Sequence, residues 1–367
     1  MVALAHVWLA AGGTGGHMFP AQSLAETCLT RGAQVSLATD ARGAQYTGAF
    51  PQDVTQHVTG SGSFARGGVV AKLTVPFKIL AGTCRAILTM RRTRPDVVVG
   101  FGGYPAIPSL LAAMVLGIPR VIHEQNGVLG RVNKLFAPYV RTIATGVPID
   151  PDRLPMRVRD KIAYIGNPVR KAVLCRAGAG YIPPGDYPMA ILVIGGSQAA
   201  RLLSQNVPEA LALLPEGVRA FLTVSHQARA EDHDDVVDMY TSADIRAHVQ
   251  PFFDDLPKRM AEAQLVIARA GASTLADLGV IGRPSILVPL AIAMDDHQRV
   301  NAQSFSDAYA AHVVREDELT PQRLAQYVQE ILNAPDVATQ MAAAAQSLGR
   351  PTAAQDLADL LESVIKG

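Results

Sequence analysis

HVWLAAGGTGGH, residues 6–17, joins a short apolar run to a turn with four glycines, and AILVIGGSQ, residues 190–198, repeats this arrangement almost half a chain later. Short, aliphatic runs of this kind are typical of buried parallel strands. Glycine in the following turn permits positive φ and close approach of a ligand, while the free N–H groups of the next helix offer an anion site. The two stretches predict an α/β chain with two nucleotide-fold halves that face one cleft.

Length and composition restrict the class of protein. The chain has 367 residues, enough for two domains of ordinary size, and 49% of them are hydrophobic. We find no run of about 18 uncharged apolar residues, and the apolar residues 2–11 lack the preceding basic region of a signal peptide. Three scattered cysteines suit a reducing cytoplasm, and a net charge of +1 argues against nucleic acid as the main partner. We expect a protein that is soluble or attached to a membrane by its surface.

Strand and helix signals alternate along both halves, as a parallel sheet requires. Further strands are predicted at 34–39, 96–100, 120–123, 142–144, 219–224, 265–268 and 285–289. In open α/β sheets, ligands bind outside the carboxyl ends of the strands, so the loops that follow these strands should converge. We predict a Rossmann-like N-terminal domain at 1–163, a second Rossmann-like domain at 164–345, and a helix at 346–367 that packs back across the domains.

The glycine-rich turns differ from the common cofactor motifs. A dinucleotide fingerprint needs glycine where this chain has Met18, and no GxxxxGK[ST] loop occurs. The pair His123-Glu124 lacks the second histidine of a zinc helix. A D-x-D pattern at 232–234 lies in the charged run 231–238, which is more simply a solvated helix face. We therefore expect no cofactor and no metal site.

A basic and apolar stretch at 64–94 stands apart from the rest of the chain. It lies in a segment, 54–95, without Asp or Glu, and carries the cations Arg66, Lys72, Lys78, Arg85, Arg91, Arg92 and Arg94. Its apolar residues outnumber those that one buried helix stripe needs. Two interpretations stay open: a surface that binds anionic lipid, or a core helix with solvated cations.

Seven short motifs follow one another along nearly the whole chain: GGTGGH at 12–17, GGY at 102–104, HEQN at 123–126, GNPVR at 166–170, GGSQ at 195–198, RAGAST at 269–274 and DDHQRVNA at 295–302. This set resembles the MurG family of bacterial peptidoglycan glycosyltransferases. The resemblance implies a GT-B fold and an inverting, metal-independent transfer of N-acetylglucosamine from UDP-N-acetylglucosamine to the muramoyl-pentapeptide on undecaprenyl diphosphate. It also implies a peripheral protein at the cytoplasmic face of the membrane, with the first domain turned to an anionic surface.

The resemblance places the sugar nucleotide mainly on the second domain. Ser197 and Gln198 at the second glycine turn, with Arg170, would meet the charge of the diphosphate. Phe252 would lie against the uracil and the backbone of Phe253 would read its edge. The remaining donor residues are Asp277 for the ribose, where most relatives have Glu, and Gln298 and Asn301 for the sugar hydroxyls.

The same resemblance places the acceptor on the first domain. His17 is the predicted base, since its ordinary pKa near 6.5 suits neutral pH although a helix N-terminus should lower it. Glu124 and Tyr104 are the other predicted catalytic residues, and the predicted substrate-binding residues of this domain are Thr14, Gly15, Gly16 and Asn126. Structural alternatives stay open, because Tyr104 can be a packing lid and Glu124 can brace its loop.

Two other functions remain possible at this point. One is a GT-B enzyme that uses a soluble acceptor or epimerises the sugar nucleotide, which would leave the stretch 64–94 without a purpose. The other is a non-catalytic protein that binds a nucleotide sugar, which would not need His17 and Glu124 together.

Overall fold

Two compact units make up the chain in the computed structural model, which describes residues 5–58 and 69–366, with the side chains of 69–73, 153, 196–200 and 294 outside that description. The first unit contains Met1–Arg170 and Arg350–Gly367, and the second contains Lys171–Gly349. The predicted division at 163/164 and 345/346 lies a few residues before these two breaks, and it stays a prediction.

A parallel sheet of seven strands forms the centre of the first unit, in the order β3-β2-β1-β4-β5-β6-β7. Its strands are β1 His6–Ala10, β2 Gln34–Thr39, β3 Thr55–Val58, β4 Val97–Gly100, β5 Arg120–Glu124, β6 Thr142–Thr145 and β7 Ile162–Tyr164. Its first helices are α1 Gly15–Thr30, α2 Val69–Thr93, α3 Ile107–Leu116, α4 Arg131–Phe136 and α5 Met156–Arg159. The strand order reverses between β1 and β4, which is where ligands bind in Rossmann-like sheets.

The second unit repeats this topology with six parallel strands in the order β10-β9-β8-β11-β12-β13. The strands are β8 Met189–Ile194, β9 Leu222–Gln227, β10 Arg246–Gln250, β11 Leu265–Ala268, β12 Ser285–Leu287 and β13 Ala311–Val313. The helices are α6 Lys171–Leu174, α7 Gly196–Ala212, α8 Glu216–Arg219, α9 His233–Ser242, α10 Leu256–Glu262, α11 Ala272–Ile281, α12 His297–Asp307, α13 Pro321–Leu332 and α14 Pro335–Ser347. Here the order reverses between β8 and β11, so both units confirm the predicted pair of α/β halves.

The C-terminal helix α15, Ala353–Lys366, returns to the first unit. Its apolar face is buried in one core with the strands of that unit, through Leu357, Ala358, Leu361 and Val364. Arg31 at the end of α1 donates to Asp359 at 2.6 Å and to Glu362 at 3.0 Å. Apolar spacing and charge pairing together explain why this segment is helical and where it packs.

Met18 explains why the first turn is not a dinucleotide fingerprint. Its side chain is completely buried in the core between α1 and the sheet. A glycine at this place permits close packing of helix on strand, whereas Met18 fills the interface with its own side chain. The helix therefore starts from the glycine-rich turn without the contact that a dinucleotide site uses.

Candidate active site

The glycine-rich turn after β1 holds His17 in the first turn of α1. Thr14 occupies the N-cap position, Gly15 and Gly16 begin the helix, and the Thr14 side chain makes no capping hydrogen bond. His17 Nδ1 lies 3.1 Å from the carbonyl oxygen of Gly12. Because a carbonyl oxygen only accepts, we assign the proton of the neutral ring to Nδ1, which leaves a lone pair on Nε2.

The loop after β4 brings backbone directly against the His17 ring. Gly102 and Gly103 have φ of +89° and +71°, in the region that favours glycine. A Cβ on Gly102 would lie 3.5 Å from His17 Nε2, and one on Gly103 would lie 3.3 Å from its Cε1. The two glycines of the GGY motif therefore leave space for the imidazole ring of His17. Its Nε2 faces the loop at the carboxyl end of β4.

The charge state of His17 follows from its surroundings. Burial lowers the pKa of the imidazole, and the hydrogen bond to Gly12 and the charges of Glu124 and Asp40 oppose that effect. Since burial is the largest cause, the pKa lies below its ordinary value and the ring is neutral at pH 7. A neutral imidazole with a free Nε2 is able to accept a proton.

Asp40, at the carboxyl end of β2, supports the same turn and was not among the predicted site residues. Its Oδ1 accepts hydrogen bonds from the backbone N–H groups of Gly13 at 3.0 Å and Gly43 at 2.8 Å. The carboxylate is 5% exposed. Its position directly after a buried strand was the signal that the sequence offered, because that edge of a parallel sheet carries the functional loops.

Glu124, the last residue of β5, braces its own loop. Oε1 accepts from the backbone and side-chain nitrogens of Asn126, both at 3.1 Å, while Oε2 accepts from Gly130 N and Asn133 Nδ2, both at 2.8 Å. The residue is 2% exposed. The geometry favours the bracing alternative over proton transfer by Glu124, and it adds Asn133, for which the sequence held no signal.

Tyr104 and Arg170 complete the predicted residues of the first unit. Tyr104 begins a short 3-10 helix, Tyr104–Ala106, and is half-buried against the apolar cluster around Trp8, as a packing residue would be. The Arg170 guanidinium lies over the ring of Phe19 in α1 at 4.5 Å, a cation–π contact.

The donor residues of the second unit lie at the carboxyl ends of its strands. Ser197 and Gln198 belong to the first turn of α7, directly after β8, and their side chains are outside the described ones. Phe252, after β10, is 59% exposed. Phe253 is buried beneath the Arg259 guanidinium at 4.4 Å, which fixes the backbone of this pair.

Asp277, Gln298 and Asn301 differ in their access to solvent. Asp277 is 8% exposed within α11. Gln298 Oε1 accepts a hydrogen bond from Leu290 N at 3.0 Å. This bond fixes the orientation of the side-chain amide and therefore the direction of its Nε2. Asn301 is fully buried and its Nδ2 donates to Ala270 O at 3.3 Å. The Asn301 side chain supports the turn before α11, and its contact with the sugar stays a prediction.

The helix α2 presents an exposed apolar stripe bordered by cations. Phe77, Leu80 and Leu88 are 74%, 61% and 57% exposed. The exposed cations beside them are Lys78, Arg85, Arg91, Arg92 and Arg94. Of the other predicted cations, Arg66 lies outside the described residues, and so does the side chain of Lys72. A core helix would bury that stripe, so the stripe belongs to the surface of the first unit, and its binding to anionic lipid stays a prediction.

Residues 5–58 and 69–366 contain neither a candidate membrane span nor a candidate metal cluster. No helix there combines the length and the apolar character that crossing a bilayer requires. No group of three or more His, Cys, Asp or Glu in those ranges is arranged to hold a metal ion. In the D-x-D pattern at 232–234, Asp232 Oδ2 accepts a hydrogen bond from Arg229 Nε at 2.7 Å.

Known proteins match both units. Residues 7–145 match the glycosyltransferase family 28 N-terminal domain, and residues 190–357 match the corresponding C-terminal domain. The UDP-N-acetylglucosamine–N-acetylmuramyl-(pentapeptide) pyrophosphoryl-undecaprenol N-acetylglucosamine transferases of Brucella suis biovar 1 (strain 1330) and Brucella abortus (strain S19) are each 47% identical over 98% of this chain and 94% of theirs.

A solved structure agrees with these relatives. The crystal structure of Acinetobacter baumannii MurG is 32% identical, with a TM-score of 0.77 over 98% of this chain and 99% of that one. The resemblance inferred from seven motifs and the predicted GT-B fold are thereby confirmed. The chain belongs to the MurG family of N-acetylglucosaminyltransferases, within glycosyltransferase family 28.

Proposed function

We propose that this chain moves N-acetylglucosamine from UDP-N-acetylglucosamine to the muramoyl-pentapeptide on undecaprenyl diphosphate, which converts lipid I to lipid II in peptidoglycan synthesis. Transferases named for this reaction are 47% identical over 98% of this chain, which supports the choice of these two substrates. The observation that carries the mechanism is the neutral His17, whose Nδ1 proton is held by Gly12 and whose Nε2 is free.

The transfer is a single displacement at the anomeric carbon. The acceptor hydroxyl attacks that carbon, the bond from carbon to diphosphate oxygen breaks, and the hydroxyl proton passes to His17 Nε2. UDP leaves with the bonding electron pair, and because the hydroxyl attacks the face opposite the departing diphosphate, the configuration at the anomeric carbon inverts. Asp40 and the turn that it supports hold the imidazole, while Glu124 holds the neighbouring loop for Asn126.

The charge that develops on UDP is met by the first turn of α7, because the free N–H groups at a helix N-terminus stabilise an anionic diphosphate. The exposed Phe252 ring stacks on the uracil, and the backbone held by the buried Phe253 reads its edge. Asp277 binds the ribose and Gln298 binds the sugar, whereas Asn301 acts as support from within the fold.

The membrane surface is the third partner. An anionic cytoplasmic leaflet attracts the cations of α2, at about 1 kcal/mol for each near the surface. Phe77, Leu80 and Leu88 insert their exposed apolar side chains beside them. We therefore expect the protein to act peripherally at the cytoplasmic face of the membrane, where its lipid-linked acceptor resides.

A transfer assay tests the proposal. Purified protein is incubated with labelled UDP-N-acetylglucosamine and a lipid-linked muramoyl-peptide, in parallel with the His17→Asn variant. We expect labelled lipid product from the parent and a loss of about 10²-fold or more in the variant, the contribution typical of a general base. Epimerised sugar nucleotide without label in the lipid, or equal rates for both proteins, would contradict the proposal.

A further inference from the structure

Arg269, the first residue after β11, forms an ion pair inside the second unit. Its guanidinium is 6% exposed, and its NH1 nitrogen lies 2.6 Å from Oε1 of Glu316, which follows β13. Glu316 is 23% exposed. Removing a charge from water costs several kcal/mol unless other groups satisfy its donors, so the remaining contacts of Arg269 are informative.

Those contacts lie on the loop after β12. The same NH1 nitrogen donates to the carbonyl oxygen of Val288 at 3.0 Å and, more weakly, to that of Pro289 at 3.4 Å. β11, β12 and β13 are neighbours in the sheet. One guanidinium therefore ties together the carboxyl ends of three adjacent strands, at the edge where the proposed donor residues lie.

The residues that follow Pro289 and Arg269 in the sequence each hold a side-chain amide of α12. Leu290, directly after Pro289, donates its N–H to Gln298 Oε1 at 3.0 Å. Ala270, directly after Arg269, accepts from Asn301 Nδ2 at 3.3 Å. Leu290 directly follows Pro289, and Ala270 directly follows Arg269. Movement of the Arg269 guanidinium would therefore shift the hydrogen-bond partners of Gln298 and Asn301 together.

We propose that Arg269, anchored by Glu316, is a positioning residue for the sugar half of the donor site. It fixes the loop 288–290, which orients Gln298 so that its Nε2 is presented to the hydroxyls of N-acetylglucosamine. UDP lacks the sugar and occupies only the uridine half of the proposed site, at Phe252 and Asp277, so it serves as the reference ligand. This inference rests on the proposed function, because it needs the sugar nucleotide as ligand.

Calorimetric titration with UDP and with UDP-N-acetylglucosamine separates the two halves of the site. The variants are Arg269→Lys, which keeps the charge but loses the planar fork, and Glu316→Gln, which keeps an acceptor and is the milder change. We expect the ratio of Kd for UDP-N-acetylglucosamine to Kd for UDP to rise about fivefold to tenfold in Arg269→Lys, the loss of one hydrogen bond, and by less in Glu316→Gln.

The matched control is Asp317→Asn. Asp317 is next to Glu316 but pairs with Arg315 at 2.9 Å on the surface, where both side chains are more than half exposed. Its ratio of Kd values should equal that of the parent. A purely structural role for Arg269 would lower the binding-competent fraction for both ligands alike, so an unchanged ratio in both variants overturns the inference. Failure of the parent to bind UDP-N-acetylglucosamine overturns the proposed function itself.

Discussion

The Glu124→Gln variant distinguishes two roles of the Glu124 carboxylate, support of its loop and participation in catalysis. In the parent, four donors converge on the two oxygens: two nitrogens of Asn126 on Oε1, and Gly130 N with Asn133 Nδ2 on Oε2. An amide has only one oxygen. Whichever way the glutamine is turned, its NH₂ group faces two donors, and two buried hydrogen bonds are lost.

The size of the effect follows from this count. A buried donor left without an acceptor costs about 1–3 kcal/mol, so two donors lower the free energy of unfolding of the first unit by about 2–6 kcal/mol. With a urea dependence of about 2 kcal/mol per molar, the midpoint of unfolding should fall by about 1–3 M. Activity should fall with it, because Asn126 and the loop after β5 lose their support.

Trp8 makes the measurement specific to this unit. It is the single tryptophan of the chain, lies in β1 and is 1% exposed, so its fluorescence reports unfolding of the unit that contains Glu124. The control is Asp53→Asn, the same change from acid to amide at an exposed position of that unit, whose midpoint should not move. A Glu124→Gln midpoint equal to that of the parent, with kcat reduced 100-fold or more, would refute the bracing role and restore Glu124 as a catalytic residue.

Three further predictions concern the base, the membrane and the ribose. Because burial lowers the pKa of His17, the acidic limb of the pH profile of kcat/KM should lie below pH 6.5. Asp40→Asn removes a negative charge that raises this pKa, so the acidic limb should move to still lower pH. A shift to higher pH would contradict the assignment of His17 as the base. Lys78→Glu should reduce sedimentation with anionic vesicles at low salt, while Lys258→Glu in the second unit leaves it unchanged; equal binding by both variants would place the membrane contact elsewhere. Asp277→Glu, the residue usual in relatives, should leave KM for the donor unchanged or lower it if the site is a ribose clamp, and a large rise would show that the local helix is shaped around the shorter acid.

The buried strands were predictable and the edge strands were not. β2 and β11 occupy the predicted ranges 34–39 and 265–268, because an apolar run between turn signals is what a central parallel strand requires. β3 and β10, with the sequences TQHV and RAHVQ, lie at sheet edges and are largely polar, so they gave no apolar signal. The strand predicted at 219–224 was shifted: Arg219 ends α8, and β9 continues through the polar residues 225–227.

The candidate site shows a similar division. The glycine motifs placed His17 correctly at a strand end, since that location follows from local chain geometry. The supports of the site depend instead on contacts between distant elements: Asp40 on the backbone of Gly13, and Asn133 on the carboxylate of Glu124. The position of Asp40 after β2 marks it as a residue of the functional edge, but neither contact itself can be predicted from spacing or composition. The burial of the Asn301 amide against Ala270 likewise becomes visible only in the fold.

The configuration of the newly formed glycosidic bond tests the central claim most directly. A single displacement with His17 as the base gives a lipid-linked disaccharide whose anomeric configuration is opposite to that of the donor sugar, and proton NMR of the released disaccharide measures it. The account predicts complete inversion, with product formation unchanged in the presence of EDTA. Retention of configuration would require a covalent or front-face route that these residues do not provide, and it would contradict the account.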